Sequence, residues 1–443
     1  MWGNAWYNLS MNRHSYVEFF RQTSPYIHAH RGKTFVIALE GDAVSLGNFH
    51  STLHDIALLQ SLGIRVVLVH GARPQIDQRL ALSGIASDFH DGIRITSAEG
   101  MLCVKEAVGS TRLQIESELS MGLPNSPMHG AKIRVLGGNF ITAKPVGVRD
   151  GVDFQRTGEI RRIDATAIEN QLIDGAMVLL SPLGFSPTGE TFNLSYQEVA
   201  AQTAIALNAE KLILVGRAEG ILDGADLVRS LSLSELEDLM TSSPLPQQQL
   251  LNSAKQACCH GVDRVHVVGC EIDGGLLTEL FTRDGSGTLL MRNHKEVIRP
   301  ATIDDVGGIL NLIGPLEEKE ILVKRSRELL ETEISRFMVV VHPEGLLLGC
   351  AALYPTSEQG SGELACVATH PEFHGQGIAS RLFDAIVTNA QQQGLEKLFV
   401  LTTQTAHWFI EKGFTEANLS DLPSQKQSLY NYQRKSRIFS RTI

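Results

Sequence analysis

Short runs of consecutive apolar residues, each followed by an amphipathic stretch, organise the first ~290 residues of the chain. TFVIAL (Thr34–Leu39) precedes a helical pattern from Phe49 to Leu62, and RVVLVH (Arg65–His70) follows it. MVLLSP (Met177–Pro182), a helical Tyr196–Leu207, KLILVG (Lys211–Gly216) and RVHVVG (Arg264–Gly269) continue the series. Strands that are apolar throughout, with helices between them, imply a mainly parallel sheet covered on both faces. The expectation is a three-layer αβα sandwich. TSSPLPQQQ (Thr241–Gln249) reads as a surface loop within it.

The pattern restarts after a polar junction, MRNHKEVIRP, with a new helix in DDVGGILNLI (Asp304–Ile313). The expected organisation is an N-terminal extension and helix over 1–23, a first domain over 24–292 and a second α/β domain over 296–443. At 443 residues the chain is too long for a single ordinary core.

Composition changes this picture little. Hydrophobic residues make up 43% and charged residues 20%, which fits a folded, water-soluble protein. A net charge of −10 with no basic stripe argues against nucleic-acid binding. No run approaches the roughly 18 apolar residues of a membrane span, and the start MWGNAWYNLSMNRHS does not read as a secretory signal. Met11 is an alternative start. The six cysteines, Cys103, Cys258, Cys259, Cys270, Cys350 and Cys366, have no CxxC spacing, so neither disulfides nor a metal is expected and the chain reads as cytoplasmic.

The sharpest chemical signal runs from Gly362 to Val387. An apolar strand, Leu364–Ala368, ends at His370-Pro371, and His374-Gly375-Gln376-Gly377-Ile378-Ala379 opens a helix with Leu382, Phe383 and Ile386 on its apolar face. Small residues before a helix leave bare amides that can wrap a diphosphate. KLFVLTT and HWFIEKGF follow, and the order resembles the GNAT acetyltransferase superfamily. Here His374 stands where Arg or Gln is usual. The resemblance implies acetyl-CoA held by His374, Gly375, Gln376, Gly377, Ile378 and Ala379, with pantetheine along Cys366, Val367 and Ala368 in a cleft between splayed strands. It also implies Glu363 as the base for an attacking amine and Thr402 as a proton donor to the leaving thiolate. Cys366, on an apolar strand with no basic activator nearby in sequence, reads as packing and backbone rather than nucleophile.

Segments over nearly the whole length, among them SPYIHAHRGKTFVI, LGIRVVLVHGARPQID, PLEEKEILVKRSRELLE and SLYNYQRKSRIF, resemble the two-domain bacterial N-acetylglutamate synthase family. The resemblance implies L-glutamate as acceptor, in the first step of arginine biosynthesis. A dicarboxylate calls for cationic forks. Arg325 and Arg434 match the family's carboxylate anchors, Cys366 lies beside them, and Lys324, Arg327 and Lys435 are neighbouring helpers.

The first domain resembles the amino acid kinase family with its phosphate machinery removed. Ala38 stands where the kinase Lys belongs and Glu40 where a glycine does. His70-Gly71-Ala72-Arg73 replaces a triple-glycine loop, Gln197 an Asp, and Gly216-Arg217 a Thr-Asp pair. ELFTRDGSGTLL resembles an arginine-binding signature through Glu279, Phe281, Thr282, Gly285, Gly287 and Thr288, with Glu279 expected on the guanidinium and glycine carbonyls around it. A helix holding Phe20, Pro25 and Tyr26 resembles one that joins such subunits into hexamers. Two rival readings are a bifunctional synthase and kinase, and a non-catalytic arginine sensor.

Overall fold

The structure is a computed structural model, and it describes residues 23–120, 132–224, 226–242, 245–282, 284–292, 296–342, 345–356, 360–428 and 436–443. The chain divides into two units, His30–His294 and Met1–Ala29 with Lys295–Ile443. Residues 24–29 therefore group with the second unit rather than the first. His28 Nε2 lies 3.0 Å from the Asp304 carbonyl oxygen, which accounts for the grouping. Tyr26 is buried within the chain, and Phe20 lies outside the described residues.

In the first unit, β1 (Thr34–Leu39), β2 (Arg65–His70), β3 (Val135–Leu136), β4 (Met177–Leu180), β5 (Lys211–Gly216), β6 (Ser230–Ser232), β7 (Arg264–Gly269) and β8 (Thr288–Met291) form one sheet. Its order is β6-β8-β7-β5-β1-β2-β4-β3, parallel except between β7 and β8. The central strand β1 is buried from Phe35 to Leu39, because helices cover both faces and leave no position for a polar residue. Each such side chain contributes about 1.5–3 kcal/mol by leaving water. Helices α1 (Phe49–Ser61) and α2 (Tyr196–Ala206) fall where the apolar periodicity puts them. The Ser195 hydroxyl starts the second of these by accepting the Glu198 amide.

One expectation fails here. Thr241–Gln249 is not a loop: helices Leu233–Ser242 and Leu245–Cys259 run through most of it. Pro246 sits in the first turn of the second helix, where its missing N–H has no intrahelical acceptor to lose. Proline there marked a helix start, not a break.

The second unit contains β9 (Val297–Pro300), β10 (Phe337–Val341), β11 (Leu347–Pro355), β12 (Ser361–Thr369), β13 (Lys397–Thr402), β14 (Thr415–Ala417) and β15 (Arg437–Thr442), in sheet order β9-β10-β11-β12-β13-β15-β14. Helix α3 (Val306–Glu318) packs Val306, Ile309, Leu312 and Ile313 into a core shared with Phe337, Val339, Cys350 and Cys366. The short α4 (Arg327–Glu333) follows it. Helix α5 (Ile378–Gln392) is strongly amphipathic, burying Leu382, Phe383 and Ile386, and α6 (Ala406–Glu411) follows β13.

Candidate active site

Two irregularities of the second sheet build the site. Between β11 and β12 the register shifts, from Cys350 opposite Ala368 to Ala352 opposite Ala365, so β12 carries one extra residue. Cys366 occupies that bulge with φ 52°, a left-handed conformation rare for a side-chain-bearing residue. On its other edge β12 pairs with β13 only at Ser361, Gly362 and Glu363, opposite Lys397, Leu398 and Phe399. On its far edge β13 pairs with β15 throughout, from Lys397 opposite Thr442 to Thr402 opposite Arg437. The strands splay as the sequence implied. The β13-facing edge of Cys366, Val367 and Ala368 is left with open backbone groups.

At the wide end of the cleft the chain passes through the turn Pro371–Phe373 into α5. Gly375 and Gly377 hold φ of 83° and 74°, and residues 374–377 are exposed. Amides from Gly375 to Ala379 find no acceptor among the described residues. Bare donors on a helix N-terminus form a cradle for a diphosphate. Ile378 contributes its backbone alone, since its side chain is in the core. The His374 imidazole turns back to the Thr369 carbonyl oxygen at 3.3 Å.

At the narrow end, side chains far apart in sequence converge. Glu363 lies at the last β12–β13 rung, directly opposite Tyr354 on β11. Arg325 comes from the turn between α3 and α4; its amide donates to Glu317 Oε1 at 3.0 Å and its Nη1 to the Val323 carbonyl at 3.0 Å. So held, its guanidinium reaches the Tyr354 hydroxyl and lies in the field of Cys366 and Glu363. Tyr354 donates to Glu333 Oε2 at 2.8 Å. Lys426, in the short helix Ser424–Ser428, pairs with the Glu363 carboxylate and stands 5.8 Å above the Tyr354 ring. Sequence reading missed Lys426, Tyr354, Glu317 and Glu333, because nothing local marks them; strand register and loop path alone bring them in.

The other expected residues divide. Arg434 and Lys435 lie outside the described residues. Lys324 is exposed, and Arg327 pairs with Glu331 on its own helix at 2.8 Å. The Thr402 hydroxyl accepts the Thr405 amide at 3.2 Å and stands 3.0 Å from the Thr405 hydroxyl, so it also shapes the turn into α6. Burial pushes the Cys366 thiol up to about 11, against the opposing pull of Arg325, so it is a thiol at neutral pH. That is a poor nucleophile.

In the first unit the arginine-type segment is arranged differently from expectation. Glu279 is buried and both its oxygens are taken. Oε1 lies 2.7 Å from His266 Nδ1, and Oε2 accepts the amides of Ser286 and Gly287 at 2.8 Å each. Amides, not carbonyls, therefore face it, and they get there because Gly287 passes where a Cβ would meet the Val267 carbonyl at 2.0 Å. His266 Nε2 in turn lies 3.0 Å from buried Lys211 Nζ. Burial, reinforced by the Lys211 charge, lowers His266 to about 4, so a neutral imidazole links an ammonium to a carboxylate. Phe281 and Thr288 are buried, and the Thr288 hydroxyl holds the Ile221 amide and the Val228 carbonyl. Thr282 Oγ1 donates to the Thr278 carbonyl at 2.7 Å.

The kinase-type end is filled. Glu40 Oε2 accepts the Arg217 amide at 2.9 Å, and Arg217 pairs with Asp42 at 3.1 Å. Gly41 lies so close to the next loop that a Cβ would sit 3.0 and 2.9 Å from the amides of Ala72 and Arg73. Main chain covers the donors a phosphate would need.

Residues 33–269 match the amino acid kinase family and residues 333–416 the acetyltransferase (GNAT) domain. Together with the splayed cleft, these define an acetyltransferase that uses acetyl-CoA. The amino-acid acetyltransferase of Azotobacter vinelandii is 51% identical over 97% of this chain and 99% of its own. That of Pseudomonas putida is likewise 51% identical, with the same coverage. Among solved structures, N-acetylglutamate synthase from Neisseria gonorrhoeae with coenzyme A and L-arginine is 37% identical with a TM-score of 0.71, covering 97% and 99% of the two chains. The complex with coenzyme A and N-acetyl-glutamate is 38% identical with a TM-score of 0.60 and the same coverage. The chain belongs to the amino-acid acetyltransferase family, that of the N-acetylglutamate synthases.

No helix among the described residues is long and apolar enough to cross a membrane.

Proposed function

We propose that this enzyme transfers the acetyl group of acetyl-CoA to the α-amino group of L-glutamate, giving N-acetyl-L-glutamate and CoA, as the first step of arginine biosynthesis. The observation that carries the reading is the convergence of Arg325, Lys426 and Glu363 at the narrow end of a cleft whose wide end carries bare amides. The amides of Gly375–Ala379 receive the donor's diphosphate, and the open edge of Cys366–Ala368 pairs with pantetheine. An amide of that edge polarises the thioester carbonyl as negative charge develops on its oxygen. Glu363 takes a proton from the ammonium of the acceptor, the amine attacks the thioester carbon, and the tetrahedral adduct expels CoA thiolate. Thr402, at the end of β13, relays to that thiolate the second proton that the adduct's nitrogen sheds, so its hydroxyl ends as it began. Arg325 and Arg434 hold the two carboxylates, and Lys426 offsets the negative charge that Glu317, Glu333 and Glu363 present to a dianionic acceptor.

The N-terminal unit serves as a regulatory domain without phosphoryl transfer. L-Arginine binds at the segment around Glu279 and inhibits. Its guanidinium replaces the internal partners of Glu279, with Lys211 and His266 next in line for its other groups. The enzyme works in the cytoplasm as a homo-oligomer, hexameric by resemblance. That the Neisseria gonorrhoeae protein was solved with coenzyme A, with N-acetyl-glutamate and with L-arginine supports this reading.

The test is thiol release with glutamate, aspartate and glutamine compared, with and without arginine. Glutamate should be preferred by at least tenfold and arginine should depress the rate. Equal rates with glutamine would sink the acceptor assignment. Full activity at saturating arginine would sink the regulation.

A further inference from the structure

The four-stranded sheet of the first unit runs Thr191–Asn193, Leu183–Phe185, Ile141–Pro145, Gly158–Ile163. Its register places Phe185 beside Thr142, and Thr142 opposite Arg162. Side chains on neighbouring strands at paired positions share a face, so these three line one row. The register then slips, with Ala143 opposite Ile160, leaving Arg161 as the extra residue of a bulge. Ile160 and Ile163 both pack on the core, so the strand reads in, out, out, in. Strict alternation would have sent Arg161 inward. The bulge instead puts two successive guanidiniums on the outer face.

There they line a groove of about 550 Å³ with Asn139, Thr142, Phe185 and Pro187. Among the described residues, the side chains of Arg161, Arg162, Asn139 and Thr142 have no hydrogen-bond or ion-pair partner. Acidic residues outnumber basic ones 49 to 39, and the nearby Arg149 and Arg156 each hold a glutamate. Two adjacent like charges without a counter-ion repel each other, which a bound oxyanion relieves. Phe185 presents an exposed ring at the other end of the row, and the volume exceeds what a bare anion fills while suiting an ordinary small ligand.

We infer that this groove is a binding site for a nucleoside diphosphate. Arg161 and Arg162 take the phosphates bidentately, the base lies on Phe185, and Asn139 and Thr142 read its edge or the sugar hydroxyls. The site lies on a sheet to which neither acetyl transfer nor arginine binding is assigned.

Isothermal titration of the full chain tests this, with CoA kept saturating so that the cleft in the other unit cannot report adenine nucleotide. ADP is expected to bind, and to bind at least about tenfold more weakly to R161Q/R162Q, as loss of charge-assisted bonds implies. Pyrophosphate should bind the wild type more weakly than ADP, and F185A should remove that difference. A thermal midpoint within about 2 °C of wild type, well inside the shift expected for about 1 kcal/mol, shows the variants folded. Absence of ADP binding to the wild type at 5 mM, equal affinity in R161Q/R162Q, or pyrophosphate binding as tightly as ADP would each overturn the proposal.

Discussion

The acetyl-transfer cleft and the kinase-type end use the same raw material, a strand followed by small residues and a helix, and dispose of it in opposite ways. In the cleft, Gly375–Ala379 keep their amides uncovered, and β12 abandons its neighbour after Glu363. At the end of β1, Gly41 presses on the amides of Ala72 and Arg73, and Glu40 caps the Arg217 amide. Anion-binding capacity therefore depends less on glycine content than on whether neighbouring main chain leaves room in front of the donors.

Four measurements test this contrast. The largest effect is expected from Glu363→Gln, which removes the carboxylate proposed as base and should lower turnover by about 10²–10⁴-fold; thiol release that stays within fivefold would clear Glu363 of that duty. Next comes acid stability of the first unit. A histidine in the unfolded chain titrates near 6.5, whereas His266 is held at about 4 by burial and the Lys211 charge. As pH falls the unfolded chain takes the proton first, so this contribution is complete above about 6.5 and lost between 6.5 and 4, amounting to about 3 kcal/mol. Thermal melts should show a steep decline over that window, and His266→Asn should lessen it by His266's share, leaving that of His70, which burial also holds at about 4.

Arg325→Ala comes third. Losing a charge-assisted bidentate contact should raise the Michaelis constant for glutamate by roughly 10–100-fold, with CoA binding nearly intact. A parallel loss of CoA binding would place Arg325 elsewhere. Gly377→Val is smaller: it forces a branched side chain to φ 74° and should weaken CoA by about tenfold, read by titration, since the left-handed region costs an ordinary residue about 1–2 kcal/mol.

The strands buried on both faces, such as Thr34–Leu39 and Lys211–Gly216, were legible because burial leaves an uninterrupted apolar run. The turn at Gly375–Gly377 and the helix it opens were legible too, since small residues at a helix start are a local signal. What the sequence hid is whatever depends on distant strands meeting. Lys426 reaches Glu363 from 63 positions away, and Lys211, His266 and Glu279 come from three separate elements. The helix through Leu245–Cys259 was hidden for another reason, because proline marks helix starts and loops alike. The bulge at Arg161 left no trace either, as a one-residue slip in alternation looks like ordinary surface sequence.

Among the described residues three residue pairs join β12 to β13, and just before them the Glu396 amide donates to the Gly360 carbonyl at 2.7 Å. Those three rungs work as a depth gauge. Strand residues advance about 3.3 Å each, so one more rung would move the crotch of the fork by that distance toward the helix that receives the diphosphate. The donor's flexible arm has a fixed length, and its reactive sulfur would then overshoot or fall short of the carboxylate parked at the fork. A ladder one pair longer would measure out the wrong molecule.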